Sequence, residues 1–208
     1  MAEPIRHTHP ILHRSELAAD PLDQFADWYE LAERHVPLAD AMTLATVDEE
    51  GAPDARMVLL KGCGPDGFRF FSSYQSAKAA QLAANPLAAL VVYWRELDRQ
   101  VRVRGRVERL SEADSDAYFS TRPWESRLGA WASPQSRPLP DRASLDQRLR
   151  EVEQRFPDGE EVPRPDHWGG YLLRHETVEF WQGQQARLHD RFRYRREDGG
   201  WLIERLGP

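Results

Sequence analysis

The chain has 208 residues, 40% of them hydrophobic and 30% charged, with a formal net charge of −6 at pH 7. That length suits one domain with a full core. The acidic balance excludes a general nucleic-acid binder, whose affinity would rest on many cations meeting phosphates, and the lack of an apolar run of about 18 residues excludes a membrane-spanning helix.

A single cysteine, Cys63, excludes an intrachain disulfide and suits a reducing compartment. The opening stretch MAEPIRHTHPILHRSEL lacks the apolar core of a secretory signal, so a cytoplasmic location is expected. Residues 1–19 are read as a loosely ordered amino-terminal segment, and 20–208 as one domain. His7, His9 and His13 in HTHPILH could suggest a metal site, but incidental histidines in a mobile segment explain them better, and no metal is expected.

DPLDQFADWYELAERH predicts a helix capped by Asp20 ahead of Pro21, with Leu22, Phe25, Trp28 (or Tyr29) and Leu31 (or Ala32) on its apolar face. From Ala41 to Ser73 the period changes, giving three strands separated by DEEGAP and GCGPDG. SAKAAQLAAN reads as a short helix closed by Pro86, and LAALVVYW as a buried strand. RQVRVRGRVERL alternates Arg with Val, the mark of a half-buried strand with one cationic face.

SEADSDAYFSTR predicts a helix opened by Ser111 with Asp114 at capping-box distance, and SLDQRLREVEQRF a further one after a Pro-rich loop. YLLRHETVEFWQG, RFRYRRE and WLIERL close the chain as strands, the last two joined through DGG. Consecutive strands with short turns imply a mainly β fold, an antiparallel sheet or barrel with peripheral α-helices. No G-x-G-x-x-G, G-x-x-x-x-G-K-[ST] or G-x-S-x-G motif occurs, so Rossmann, P-loop and serine-hydrolase chemistry lose support.

Three stretches could carry chemistry. ARMVLLKG is an apolar strand with Arg56 and Lys61 at odd separation, so the two cations leave opposite faces; they hold two anionic groups, or Arg56 caps a sheet edge. Tyr118, Arg122 and Ser126 stand four residues apart and would line one side of a continued helix, a set suited to a phosphate, although Pro123 opposes that continuity. In RLHDR, Arg187, His189 and Arg191 would share one face of an extended strand and Leu188 and Asp190 the other, forming either a solvated edge or an anion seat. The seven Trp suit core or subunit packing, with contact to a flat ligand as the alternative. Isolated cations within apolar and aromatic strands favour a flat phosphorylated ligand over a polyanion.

RMVLLK (56–61), RQVRVRG (99–105), YFSTRPWESRLGAWAS (118–133), VEFWQG (178–183) and RLHDRFRY (187–194) together resemble the pyridoxamine/pyridoxine 5′-phosphate oxidase family, from residue 20 to the end of the chain. The resemblance implies an FMN-binding split β-barrel and a homodimer with FMN at the subunit interface. It implies oxidation of pyridoxamine or pyridoxine 5′-phosphate by O2 to pyridoxal 5′-phosphate, with release of H2O2. By the same resemblance, Arg56 and Lys78 would hold the FMN phosphate with Ser72, Gln135 and Ser136, the main chain of Arg56, Met57, Val58, Leu59, Leu60 and Lys61 would run along the cofactor, with Phe71 beside it, and Gln100, Trp181 and Arg191 would border the flavin. Lys61, Tyr118, Arg122 and Ser126 would grip the substrate phosphate, and Arg187 and His189 would cover the pyridine ring as the catalytic pair.

Three positions depart from the family pattern. Ala77 stands where many relatives have Arg, Phe71 where an aromatic hydroxyl is common, and HTHPILHR in place of a segment that can close over the substrate. Two other activities share many of these features: a split-barrel flavin oxidase acting on a phenazine-type ring, and a non-catalytic binder of flavin, haem or pyridoxal phosphate.

Overall fold

The computed structural model describes residues 9–208. Its first long element is α1 (Pro21–His35), which begins where the sequence places it: the Asp20 carboxylate accepts the Leu22 N–H, and Pro21 needs no partner. Phe25, Trp28 and Ala32 form its buried face. Phe25 meets Phe68 edge-on at 5.0 Å and Trp28 meets Phe180 at 5.2 Å, so the helix closes one side of the main core.

Nine strands form one antiparallel sheet: β1 (Ala41–Val47), β2 (Pro53–Leu59), β3 (Cys63–Gly64), β4 (Gly67–Ser73), β5 (Leu87–Trp94), β6 (Arg99–Arg109), β7 (Trp168–Gln182), β8 (Asp190–Glu197) and β9 (Gly200–Arg205). Their order is β2-β1-β5-β6-β7-β4-β3, with β8 on β7 and β9 on β8. The three strands expected between Ala41 and Ser73 are β1, β2 and β4, and the GCGPDG turn adds the short β3. Along β6 the predicted alternation holds: Val101, Val103 and Val107 are buried while Arg102, Arg104 and Arg106 face outward. A bulge at Arg104/Gly105 brings the β7 backbone so close that a Cβ on Gly105 would lie 1.8 Å from the Arg174 carbonyl oxygen.

The remaining helices are α2 (Ala77–Ala84), α3 (Glu112–Ser120), α4 (Trp124–Ala132) and α5 (Arg142–Arg155). Ser111 caps α3 by accepting the Asp114 N–H at 3.0 Å. The helix expected to run through Arg122 stops at Ser120 and α4 restarts at Trp124, because Pro123 denies helical angles to the residue before it. Phe119, Leu128, Phe156, Val162 and Trp168 make a second core beneath α3 to α5. No helix among the described residues is long and apolar enough to cross a membrane.

Within the amino-terminal segment, His7 lies outside the described residues. The Leu12 N–H donates to Asp190 at 3.0 Å, Gln182 Nε2 to the Pro10 carbonyl at 2.7 Å, and the Tyr194 hydroxyl to the Ala18 carbonyl at 2.8 Å. Among the described residues no group of three or more His, Cys, Asp or Glu is placed to hold a metal ion.

His175 on β7 is 4% exposed, stacked on Trp201 at 5.2 Å and edge-on to Phe68. Burial, reinforced by the Arg196 guanidinium and opposed by Asp20, pushes its pKa down from 6.5 to about 4. The folded chain therefore keeps this ring neutral where the unfolded chain binds a proton. Its contribution to stability is complete above pH 6.5 and falls as the pH drops towards 4. Urea midpoints measured across that window should decline with acidity, and His175→Phe should flatten the decline; equal slopes in the two proteins would contradict this.

Candidate active site

A cleft of about 420 Å³ opens where the end of β2, strand β4 and the α3–α4 break meet. Lys61, Tyr118, Arg122 and Ser126 all line it, so the four residues that the resemblance assigns to one phosphate do converge. They do not converge through a continued helix. The chain turns at Thr121–Pro123, placing Tyr118 in the last turn of α3, Ser126 in the first turns of α4, and Arg122 between them.

The predicted opposition of Arg56 and Lys61 across a strand also fails, because β2 ends at Leu59. Lys61 pairs with Asp40 at 2.7 Å. Arg56 turns to Thr46, Asp54 and Gln81.

Arg122 is the most telling group. Its guanidinium lies 4.5 Å above the Trp168 ring and 5.4 Å from Phe119, and its Nη1 is buried without a hydrogen-bond partner. Burial lowers its pKa. A desolvated cation with an unmet N–H is costly alone and well matched to an incoming oxyanion.

Lys78, at the start of α2, repeats the pattern a short distance away. It is only 8% exposed, and its ammonium donates to Ser72 at 3.0 Å, Gln135 Oε1 at 3.0 Å and Ser76 at 3.4 Å, all neutral. Burial first, then the neighbouring Arg56, lowers its pKa, with Asp54 opposing. Ser72 also donates to Gln135 at 2.9 Å, so Ser72, Lys78 and Gln135 form one cluster. Ser136, next in the chain, holds a left-handed φ of 68°. Strand β2 is an edge strand of the sheet, so among the described residues no strand pairs with its outer backbone groups from Arg56 to Leu59. Met57 and Leu59 are exposed there.

The second group of expected residues lies elsewhere. Gln100, Trp181 and Arg191 stand directly opposite one another across β6, β7 and β8, and therefore share a face. None of these three, nor Arg187 or His189, lines the cleft.

The reading of RLHDR as one extended row is corrected. Gln185–Arg187 form a single 3-10 turn, Ala186 and Arg187 have φ of 55° and 62°, and the strand begins only at Asp190. Leu188 is 69% exposed while Asp190 is 3% exposed, so they do not share a face as alternation predicts. Asp190 is drawn inward by the Leu12 N–H, Gln184 and Arg205. Arg187 thus projects from a turn. His189 packs on Trp181 at 4.6 Å, and its Nδ1 accepts the Gln184 N–H at 3.1 Å, which leaves the ring proton of the neutral form on Nε2.

Sequence reading missed the carboxylates that hold these cations. Glu179, 9% exposed, takes Arg191 through Nε at 2.9 Å and Nη2 at 2.8 Å. A lone acid in the apolar run TVEFW was the available signal. Trp168, which lines the cleft, carried no signal beyond its residue type. A larger cavity of about 730 Å³ beside α1 is bordered by Asp20, Asp23, Glu30 and Glu33 as well as Lys61, a lining whose balance is acidic and disfavours phosphate.

Because Lys78 is buried without a carboxylate, the ligand-free protein bears the cost of its desolvation. Lys78→Met should raise the unfolding free energy of the ligand-free protein by about 1 kcal/mol. A lower urea midpoint in the variant would show that the ammonium is structurally stabilising.

Comparison with known proteins follows the same lines. A profile of the family described as pyridoxamine 5′-phosphate oxidase matches residues 30–156. One described as the pyridoxine 5′-phosphate oxidase C-terminal dimerisation region matches residues 168–208. The chain is 54% identical over 199 residues to a pyridoxine/pyridoxamine 5′-phosphate oxidase of Cupriavidus necator, covering 95% of this chain and 93% of that protein. It is 56% identical over 196 residues to pyridoxine/pyridoxamine 5′-phosphate oxidase 1 of Ralstonia nicotianae, covering 93% and 92%. Among solved structures, PhzG of Burkholderia lata, in complex with tetrahydrophenazine-1-carboxylic acid, superposes with a TM-score of 0.88 at 28% identity, covering 95% of this chain and 98% of that one. A pyridoxamine 5′-phosphate oxidase-related, FMN-binding protein of Nostoc punctiforme shares the fold with a TM-score of 0.73 at 20% identity, over 92% and 100%. The antiparallel split barrel, the cation-lined cleft and these matches place the chain in the pyridoxamine 5′-phosphate oxidase family.

Proposed function

We propose that this chain oxidises pyridoxamine or pyridoxine 5′-phosphate to pyridoxal 5′-phosphate, reducing O2 to H2O2 and releasing ammonia when the substrate is the amine. The observation that carries this reading is the buried, unpartnered Nη1 of Arg122 in a cleft shared with Lys61, Tyr118 and Ser126. The uncompensated Arg122, two hydroxyls and Lys61, whose charge is shared with Asp40, make a phosphate seat around one space. FMN is the cofactor, and when bound it would supply the redox chemistry, a hydride acceptor for the substrate C4′ and a route for the electrons to O2. The residues present fit it: Lys78 offers an ammonium held only by neutral partners, Ser72 and Gln135 among them, Arg56 is near enough to act on it, and Ser136 follows Gln135 in the chain.

In this reading the exposed edge of β2 lies along the cofactor, from Arg56 to Lys61, with Phe71 beside it. The row of Gln100, Trp181 and Arg191 borders the flavin from the other side. Because that row and the Arg187–His189 loop do not line the same cleft, a second copy of the chain supplies them. The match of 168–208 to a dimerisation region supports a homodimer built this way. Arg187 and His189 then cover the pyridine ring, restricting C4′ to one approach. A phenazine-type oxidase shares this fold, and a ring carboxylate would also meet Arg122, but the further donors Lys61, Tyr118 and Ser126 suit the three oxygens of a phosphate better.

Two substitutions test these roles separately. Arg122→Ala should raise KM for pyridoxamine 5′-phosphate about ten- to a hundredfold, the loss of one charged hydrogen bond, with the protein still yellow. An unchanged KM refutes the phosphate seat. Arg187→Ala should lower kcat with FMN retained; a colourless protein would instead place Arg187 on the cofactor.

A further inference from the structure

We infer that Trp168 is the positioning residue of the phosphate seat, holding Arg122 and Tyr118 at once without neutralising the arginine. This rests on the reading of the cleft as a phosphate seat. Trp168 touches both groups from one ring: the Arg122 guanidinium lies over its face at 4.5 Å, and the Tyr118 ring is nearly parallel to it, with 6.2 Å between centroids and 7° between planes. Phe71 completes the brace, stacked on Tyr118 at 3.8 Å and on Trp168 at 5.5 Å.

The chemistry of the brace matters more than its bulk. Several arginines on this sheet are paired with carboxylates, Arg191 with Glu179, Arg193 with Glu204 and Arg205 with Asp190, while Arg99 and Arg109 lie over the rings of Trp28 and Tyr74. A carboxylate fixes a guanidinium but consumes its N–H groups and cancels its charge. An aromatic face fixes it through the ring quadrupole and takes neither. Arg122 therefore keeps an unpartnered Nη1 and a full charge for the incoming anion, which a salt bridge would have removed. Phe71 acts on Tyr118 in the same way, orienting the ring and leaving the hydroxyl uncommitted.

The surroundings are built to hold this ring. The Trp168 backbone is fixed at both ends: its main-chain N–H donates to the Pro165 carbonyl at 3.0 Å, and its main-chain carbonyl accepts from Arg164 Nη1 at 2.7 Å. Arg164 Nε in turn reaches Asp116 on α3 at 2.6 Å, tying Trp168 to the helix that carries Tyr118. Two residues on, Gly170 leaves room for the brace, since a Cβ there would lie 2.8 Å from Phe71 Cε1 and 2.5 Å from Leu110 Cδ1.

The test compares the holoenzyme with Trp168→Leu, Trp168→Phe and Arg122→Ala. For each, kcat/KM is measured on pyridoxamine 5′-phosphate and on unphosphorylated pyridoxamine, together with the inhibition constant of inorganic phosphate. Trp168→Leu should reduce the preference for the phosphorylated amine about tenfold and weaken phosphate inhibition to match, mainly through KM, with FMN absorbance retained. Trp168→Phe, which keeps an aromatic face, should recover most of the preference. An equal fall on both amines, with phosphate inhibition unchanged, overturns the inference and leaves Trp168 a packing residue. If Arg122→Ala collapses the preference while Trp168→Leu preserves it, only the brace is refuted. If neither substitution alters it, the phosphate seat itself is refuted.

Discussion

Uncompensated positive charge, held out of water, is the constraint on which the rest of this molecule depends. Several of its arginines are paired with acids: Arg174 meets Glu108, Arg193 meets Glu204, and Arg205 meets the buried Asp190. Lys78 and Arg122 are not. Each is desolvated, each has its pKa lowered by burial, and neither has a carboxylate partner. A marginally stable chain tolerates such groups only where the scaffold over-determines them. Here that scaffold is the antiparallel sheet, whose long β7 pairs with β4, β6 and β8 and fixes what surrounds the cleft.

The same scaffold explains why one chain holds only part of the proposed site. β2 lies at one end of the strand order, and β8 and β9 branch from β7. The cleft forms near the first, while Gln100, Trp181 and Arg191 line up across the strands leading to the second. Both groups are tied to β7, with Trp168 of the cleft at its start and Trp181 of the row near its other end, so the length of that strand holds them apart. In the proposed homodimer, one copy's row would be set against the other copy's cleft without bending the sheet. The exposed Met57 and Leu59 on β2 and Tyr93 on β5 are apolar side chains that a second copy would cover.

Much of the fold was legible in the sequence because it follows local rules. Asp20 before Pro21, the Arg–Val alternation of β6 and the break at Pro123 each rest on hydrogen-bond supply or steric exclusion that neighbouring residues decide. RLHDR failed for the opposite reason. Leu12 and Arg205, distant in sequence, hold Asp190 inward, and the backbone turns left-handed at Ala186 and Arg187 before the strand begins. The cleft residues were legible through their likeness to a known family. Their state was not: neither the burial of Lys78 nor the missing partner of Arg122 appears in any local pattern, and the Trp168–Phe71–Tyr118 stack joins three separate segments.

The proposed cofactor-phosphate seat also shows which cation carries it. Arg56 and Lys78 are close enough to influence each other, but Arg56 is already engaged by the Asp54 carboxylate and by Gln81, one turn beyond Ala77 on α2. Two cations and one carboxylate leave a single net positive charge, and the group without an acidic partner is Lys78. With Ala77 in place of an arginine, no further guanidinium is available from the first turn of that helix. Charge-assisted binding of a phosphate at this point therefore falls on one buried ammonium and its hydroxyl and amide neighbours. Those neutral groups orient the ammonium without cancelling its charge, as the Trp168 face does for Arg122.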